Sequence, residues 1–333
     1  MLSRLLSSHY SVWIGFVLCF YVIWIFYVLY SGYYQELGNY WQISLTMAFG
    51  SYVAGSTPMG GGAVGFPVLV LGLDMPVSLG RDFSLLIQSL GMTSASIFIL
   101  VSRQKIAVNV LIGVMLGVGL GIPLGLFWVE PNISELLVKL IFAVLCASFG
   151  ILHMVRLDEF STYSGILKFS MRIELIIGGL IGFIASSGIV SITGVGVDMV
   201  LYCILVLVFK SDLRVAIPTS VIAMALTSLY SVLIKSVTVG FHEDVFENWL
   251  AAAPIVVVGA PLGAFLVNIL GRKKTLSFVS ILCVFQLFWT CSNEFSYLGF
   301  GGVLATLCTV FIVAVFFETI RLVSQGNRLQ NAN

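Results

Sequence analysis

Two short stretches carry the residue types that could bind a small charged molecule. "GSTPMGGGAVGFP" (Gly55 to Pro67) sets Ser56 and Thr57 beside Gly60, Gly61 and Gly62. "SSGIVSITGVGVD" (Ser186 to Asp198) sets Ser187, Ser191 and Thr193 beside Gly194 and Gly196, and ends on a carboxylate. Both interrupt apolar runs. Unpaired backbone in lipid is costly, so irregular chain at that depth survives only where protein or a water-filled cavity satisfies its N–H and C=O groups. The glycines permit a turn, after which a second helix starts near Ala63 and again near Gly194 and Gly196. Its free N–H groups and positive dipole end point into the protein. Two such opposed N-termini, with small hydroxyls nearby, form an anion site that needs no buried lysine or arginine. The alternative is that glycines only let helices pack closely. That reading is favoured for Gly113, Gly117, Gly119 and Gly121.

Asp198 follows the second turn by two residues. A carboxylate at membrane depth marks a functional site by default, here a proton-coupling group; capping a helix N-terminus is the other role open to it. Gln88, Thr219 and Ser220, with Thr93, Ser94 and Thr227, lie on the spans after each break. They could complete an anion's hydrogen bonds, or bond to carbonyls one turn back. Arg81 and Arg214 occupy equivalent ends of two similar segments. They either attract anions into a vestibule on each face or snorkel to the interface.

Other chemistry finds no support. The six cysteines lie in apolar segments without CxxC spacing and read as small hydrophobes, and the three histidines (His9, His153, His242) are scattered. No metal site, cofactor site or nucleotide motif is expected. An embedded enzyme would need a partner for Asp198 that the sequence does not offer, and no nucleic-acid partner is implied.

The elements that must position these residues follow from composition. The 333 residues are 59% hydrophobic and 9% charged, against roughly 25% charged in soluble domains, and mean hydropathy is +1.08. Continuous rather than alternating apolar runs imply an all-α polytopic membrane protein. Candidate spans lie near 11–31, 78–101, 106–128, 134–154, 213–234, 247–270, 275–291 and 297–322. The stretches 41–73 and 172–209 are each too long for one span and are broken by glycine. If both are hairpins that return to the side they entered, only Arg81, Lys139 and Lys235 fall outside. The other thirteen of the sixteen basic residues, from Arg4 to Arg328, fall on the cytoplasmic side, as the positive-inside rule requires. Both termini are then cytoplasmic. The first helix, lacking a cleavage site after it, is expected to be retained.

Self-comparison adds a repeat. At an offset of 133, Gly55, Gly61 and Arg81 match Gly188, Gly194 and Arg214, and "GIPLGLF" (Gly121 to Phe127) matches "GAPLGAF" (Gly259 to Phe265) at 138. The expected organisation is an N-terminal transmembrane helix (1–40), repeat 1 (41–154, hairpin 41–73 plus three spans) and a cytoplasmic linker (155–171). Repeat 2 (172–291, hairpin 172–209 plus three spans) and a last helix with a cytoplasmic tail (292–333) follow. Three crossings per copy turn the second copy upside down. Inverted repeats with broken helices are a construction of secondary transporters working by alternating access; a channel, or a structural or sensory membrane protein, is the alternative.

These residues also carry a family resemblance. The first hairpin "AGSTPMGGGAVGFPVLVLGLDMP", its counterpart "GVGVDMVLYCILVLVFKSDLRVAIPTS" and the two G-x-P-L-G-x-F elements resemble the TauE/SafE (sulfite exporter, TSUP) family of anion transporters over about 41–291. The "PTS" of Pro218 to Ser220 is similar to the Thr-Ser signature opening a helix in the second half. In the first half "DFSLLIQS" (Asp82 to Ser89) lacks that pair, and Gln88 and Ser89 stand in its place. The resemblance implies export of a small sulfur-containing anion such as sulfite, sulfoacetate or another organosulfonate. Import of thiosulfate, sulfate or a small carboxylate, or an anion channel, is the alternative. The expected setting is the cell inner (plasma) membrane, with the lipid bilayer and the anion as partners and a homodimer left open.

Overall fold

The computed structural model describes residues 10–331, with side chains described as far as Ser324. The expectations resting on Arg4, His9 and Arg328 lie outside that description. Among the described residues the chain is entirely helical, and nine helices are long and apolar enough to cross a membrane. The first, α1 (Ser11–Ser31), is followed by α2 (Trp41–Ser56) and by the short α3 (Gly62–Pro67), which runs on as one wide turn to Gly72. Then come α4 (Val77–Val101), α5 (Val108–Leu124, with a wide turn to Val129) and α6 (Glu135–Thr162). α7 (Met171–Ala185) continues through a wide turn to Thr193 and is followed by the short α8 (Val197–Leu207). α9 (Leu213–Val237), α10 (Val245–Leu270), α11 (Arg272–Asn293) and α12 (Phe295–Asn331) complete the chain.

The eight expected spans are present with small shifts at their ends. The ninth candidate, 171–193, is the first arm of the second broken stretch and is itself long enough to cross. The expected linker also shrinks. Leu157 and Phe160 are buried, so the apolar face of α6 carries it to Thr162. Only 163–170 connects α6 to α7. It is tied down where the Leu167 and Asp212 amides donate to the carbonyls of Phe209 and Gly165, at 2.8 and 2.7 Å.

Both glycine-broken stretches turn where expected, and both return arms, Gly62–Gly72 and Val197–Leu207, hold 11 residues. At 1.5 Å per residue each covers about 16 Å, half the hydrocarbon core. They end in the same way. The Leu73 and Met75 amides bond the Val68 and Leu69 carbonyls around Asp74; the Phe209 and Ser211 amides bond Ile204 and Leu205 around Lys210. Asp74 and Lys210 both take positive φ (54° and 45°). The helices that follow, α4 and α9, are each 25 residues long. The bonds that end the arms and the starts of α4 and α9 fall 136 positions apart, and the arms themselves 135.

Packing is reciprocal. α5 lies along α7 and α10 lies along α2, α4 packs on α9, and α6 packs on α11. The G-x-P-L-G-x-F elements are where the first two pairs close. Gly121 and Gly125 on α5 meet Phe183, Ser186, Ser187 and Ser191, while Gly259 and Gly263 on α10 meet Ser51 and Tyr52. Gly113 and Gly117 likewise meet the backbone of α7, as close packing predicted. Gly119 has open space where a side chain would start, so packing does not account for it. α1 and α12 flank this core and bury little of their own surface. α1 is attached by Trp13, Tyr21 and Trp24, which donate to Ser94 Oγ and to the carbonyls of Pro254 and Leu250. α12 is attached by Glu318, paired with Arg156 of α6 at 2.6 Å, and by Arg321, paired with Glu159 at 2.9 Å.

Candidate functional site

The two turns meet in the interior. Gly62, at the start of α3, faces Val195 of the second turn and Ser84 and Gln88 of α4. Gly194 takes φ +77°, a conformation open chiefly to glycine, and lies against Ser84 and the Arg81 carbonyl. Gln88 is the bridge. Its Nε2 donates to the Ser84 carbonyl at 2.9 Å and to the Gly194 carbonyl at 2.8 Å. Its Oε1 is directed at Gly60, where even a methyl group would collide with it. Asp198, fully buried in the first turn of α8, completes the cluster. Its Oδ1 accepts from the Met199 amide at 3.0 Å, and the backbone amides of Gly196 and Gly60 also face the carboxyl group. The N-termini of α3 and α8 therefore converge on one place.

The five hydroxyls named in the two glycine-broken stretches are buried, and all are already engaged. Ser56, Thr57, Ser187, Ser191 and Thr193 donate to the carbonyls of Tyr52, Val53, Phe183, Ser187 and Ile189, one turn back. A hydroxyl has one hydrogen to donate, so the donors left for an anion are backbone N–H groups. Thr219 donates to Val215 and accepts from the Ala107 amide, which ties it to the start of α5 rather than to the turns. Ser220 donates to Ile217. Gly61 faces Met47 and Ala54 of α2, away from Gln88.

Arg81 and Arg214 do not form a matched pair. Arg81 is buried, with Nη1 at 2.7 Å from Glu130 and Nε at 3.1 Å from Asp82. Lys235, also buried, lies 3.0 Å from Asp82, whose Oδ2 accepts from the His242 amide. Snorkelling does not describe Arg81: it belongs to an ion network joining α4, α9 and the end of α5. Arg214 is exposed and lines an open cavity of about 500 Å³ with Lys105, Arg272 and Asp212. The spacing explains the difference. Since α4 and α9 begin 136 positions apart, the counterpart of Arg214 is Ser78; Arg81 lies one helical turn deeper.

One cluster carried no recognisable sequence signal. Met59 Sδ lies 3.3 Å from Cys283 Sγ, and both line a cavity of about 210 Å³ with Cys146. Their positions are too far apart in the chain for spacing to reveal it.

Comparison with known proteins agrees with this architecture. Residues 43–288 match the family model described as sulfite exporter TauE/SafE. The chain belongs to the sulfite exporter TauE/SafE family. No curated protein and no solved structure matches the chain. TauE/SafE proteins are transporters rather than enzymes, so this chain is a multi-pass membrane protein of an anion-exporting family. The matched segment includes both turns, Gln88 and Asp198, and leaves out α1 and α12.

Proposed function

We propose that this TauE/SafE protein is a secondary transporter that exports a small sulfur-containing anion, sulfite, sulfoacetate or a related organosulfonate. The observation that carries the reading is the convergence of the α3 and α8 N-termini at Gly60 and Gly196. First-turn N–H groups and the helix dipole attract an anion there without a cationic side chain. The donors would be the amides of Gly60, Gly61 and Gly62 on one side and those around Gly196 on the other. Gln88 would position the two turns.

Alternating access would follow from two inverted repeats, each a broken stretch plus three spans. The reciprocal pairing of α5 with α7 and α10 with α2 supports that division, as do the matched ends of α3 and α8. The two faces differ. At one, Arg81, Asp82, Glu130 and Lys235 bind α4, α5 and α9 together; at the other, Lys105, Arg214 and Arg272 line an open cavity. We read the first as the closed outer gate and the second as the open cytoplasmic vestibule, in the plasma membrane with both termini inside. Asp198 is the candidate proton-coupling group, and in the absence of a nucleotide motif the energy would come from a gradient.

Flux in proteoliposomes tests this, comparing sulfite, sulfoacetate, thiosulfate, taurine and sulfate with and without a pH gradient. Saturable flux of one sulfur anion that disappears in Gly60→Ala supports the reading. Flux that does not saturate would instead indicate a channel, and a protein that inserts yet moves none of these anions would remove the substrate class.

A further inference from the structure

Gln88 Oε1 and Asp198 Oδ2 are both buried acceptors that complete no hydrogen bond. Both are aimed at Gly60, and Oδ2 lies 3.3 Å from where a Gly60 side chain would begin. The orientation of the Gln88 amide is not free. Its nitrogen meets two carbonyl oxygens, Ser84 and Gly194. Turning the amide over would set oxygen against both, so Oε1 must point to the Gly60 side, where Asp198 Oδ2 also lies. Two bare acceptors buried together cost free energy unless a proton or a cation lies between them.

A metal cation is disfavoured, because both helices present their positive ends. We infer that Asp198 carries a proton donated to Gln88 Oε1, and that its ionised carboxylate and the transported anion are alternative occupants of the same two helix N-termini. The second half of the inference rests on the anion reading above; the first does not. When the carboxyl is ionised, it is itself the anion that the Gly60, Gly196 and Met199 amides hold. When it is protonated, those amides are released to an incoming anion, and the proton passes through with it. The titratable neighbour is the Cys146 thiol of α6, which lies against Cys283 of α11. The pair also breaks the internal symmetry. At 136 positions Gln88 corresponds to Met224 and Asp198 to Gly62, so the proton site exists in one half only.

Infrared difference spectroscopy of wild type against Asp198→Asn, in detergent at neutral pH without substrate, tests the shared proton. The expected result is the carbonyl stretch of a protonated, hydrogen-bonded carboxyl group, absent from Asp198→Asn and moved to the frequency of a free carboxyl in Gln88→Leu. A carboxylate signal alone, a band unmoved by Gln88→Leu, or a band abolished by sodium at constant pH would each overturn it. Titration with sulfite in weak buffer tests the competition. At a pH above that at which the infrared band is lost, wild type should take up protons as sulfite binds, and Asp198→Asn should bind sulfite with none. Binding by wild type without proton uptake overturns the competition. If sulfite, sulfoacetate and thiosulfate all fail to bind, the anion reading and the competition fall together, and the infrared band alone decides the proton.

Discussion

Thr57 and Thr193 make the same two hydrogen bonds at opposite turns. Each hydroxyl donates one turn back, to Val53 at 2.8 Å and to Ile189 at 2.9 Å. Each also accepts an amide two residues ahead, from Met59 and from Val195, both at 3.3 Å. The pair ends the long arm of each broken stretch and aims the glycines that follow. Replacing either threonine by valine keeps the shape and removes both bonds. Each replacement should cost about 1–3 kcal/mol of stability, measured by denaturation in detergent, while Thr→Ser at either site should recover most of it. Thr193 Oγ1 also lies 3.0 Å from the Val195 carbonyl, a contact Thr57 lacks, so the loss at Thr193 should be at least as large as at Thr57.

Gly60 admits no side chain. A Cβ there would occupy the place of Gln88 Oε1 and crowd Asp198. Gly60→Ala should therefore push Gln88 off the Gly194 carbonyl, costing about 1–3 kcal/mol as other overpacked sites do. Flux should vanish while the protein stays inserted. Gly188→Ala, at a position with open space, is the control and should leave flux unchanged.

The buried network should behave as a unit. Asp82→Asn leaves Arg81 and Lys235 with Glu130 as the one carboxylate between them. Breaking one partner of a buried ion pair costs about 3–5 kcal/mol. A double variant, Asp82→Asn with Lys235→Met, should cost less than the single change, since the second substitution removes an uncompensated charge. Thermal unfolding of the purified protein reads both.

The two arginines expected from sequence to be equivalent should separate under one substitution. Arg81→Gln should destabilise the protein, for it uncovers Glu130 and Asp82. Arg214→Gln should leave stability unchanged within about 0.5 kcal/mol, as surface changes do. It should weaken the apparent affinity for an anion arriving through the cavity, most visibly at low ionic strength where screening is least.

The α5–α7 and α10–α2 seams depend on backbone approach. Gly117→Leu or Gly263→Leu drives a side chain into the backbone of the facing helix. Neither should yield a monodisperse protein in size-exclusion chromatography, whereas Gly119→Leu should behave as wild type.

By itself the sequence determined the class, the helices and the places where they break. These depend on local properties: hydropathy over about 20 residues, and glycine clusters that no lipid-facing helix tolerates. Gln88 and Asp198 were each visible as polar residues in apolar runs, because a polar group at that depth stands out wherever it points. Their pairing was not visible. They lie on different elements far apart in the chain, and only the meeting of α4 with the second turn joins them. The spacing between the two glycine-broken stretches was also beyond the sequence. Apolar segments match at many offsets, and glycines at 133 gave a plausible alignment. In the tertiary structure the matching hydrogen bonds, at Thr57 and Thr193 and at the ends of α3 and α8, fall 136 positions apart. Three residues of error is one helical turn, about 4.5 Å of depth, and that turn is what separates the exposed Arg214 from the buried, ion-paired Arg81.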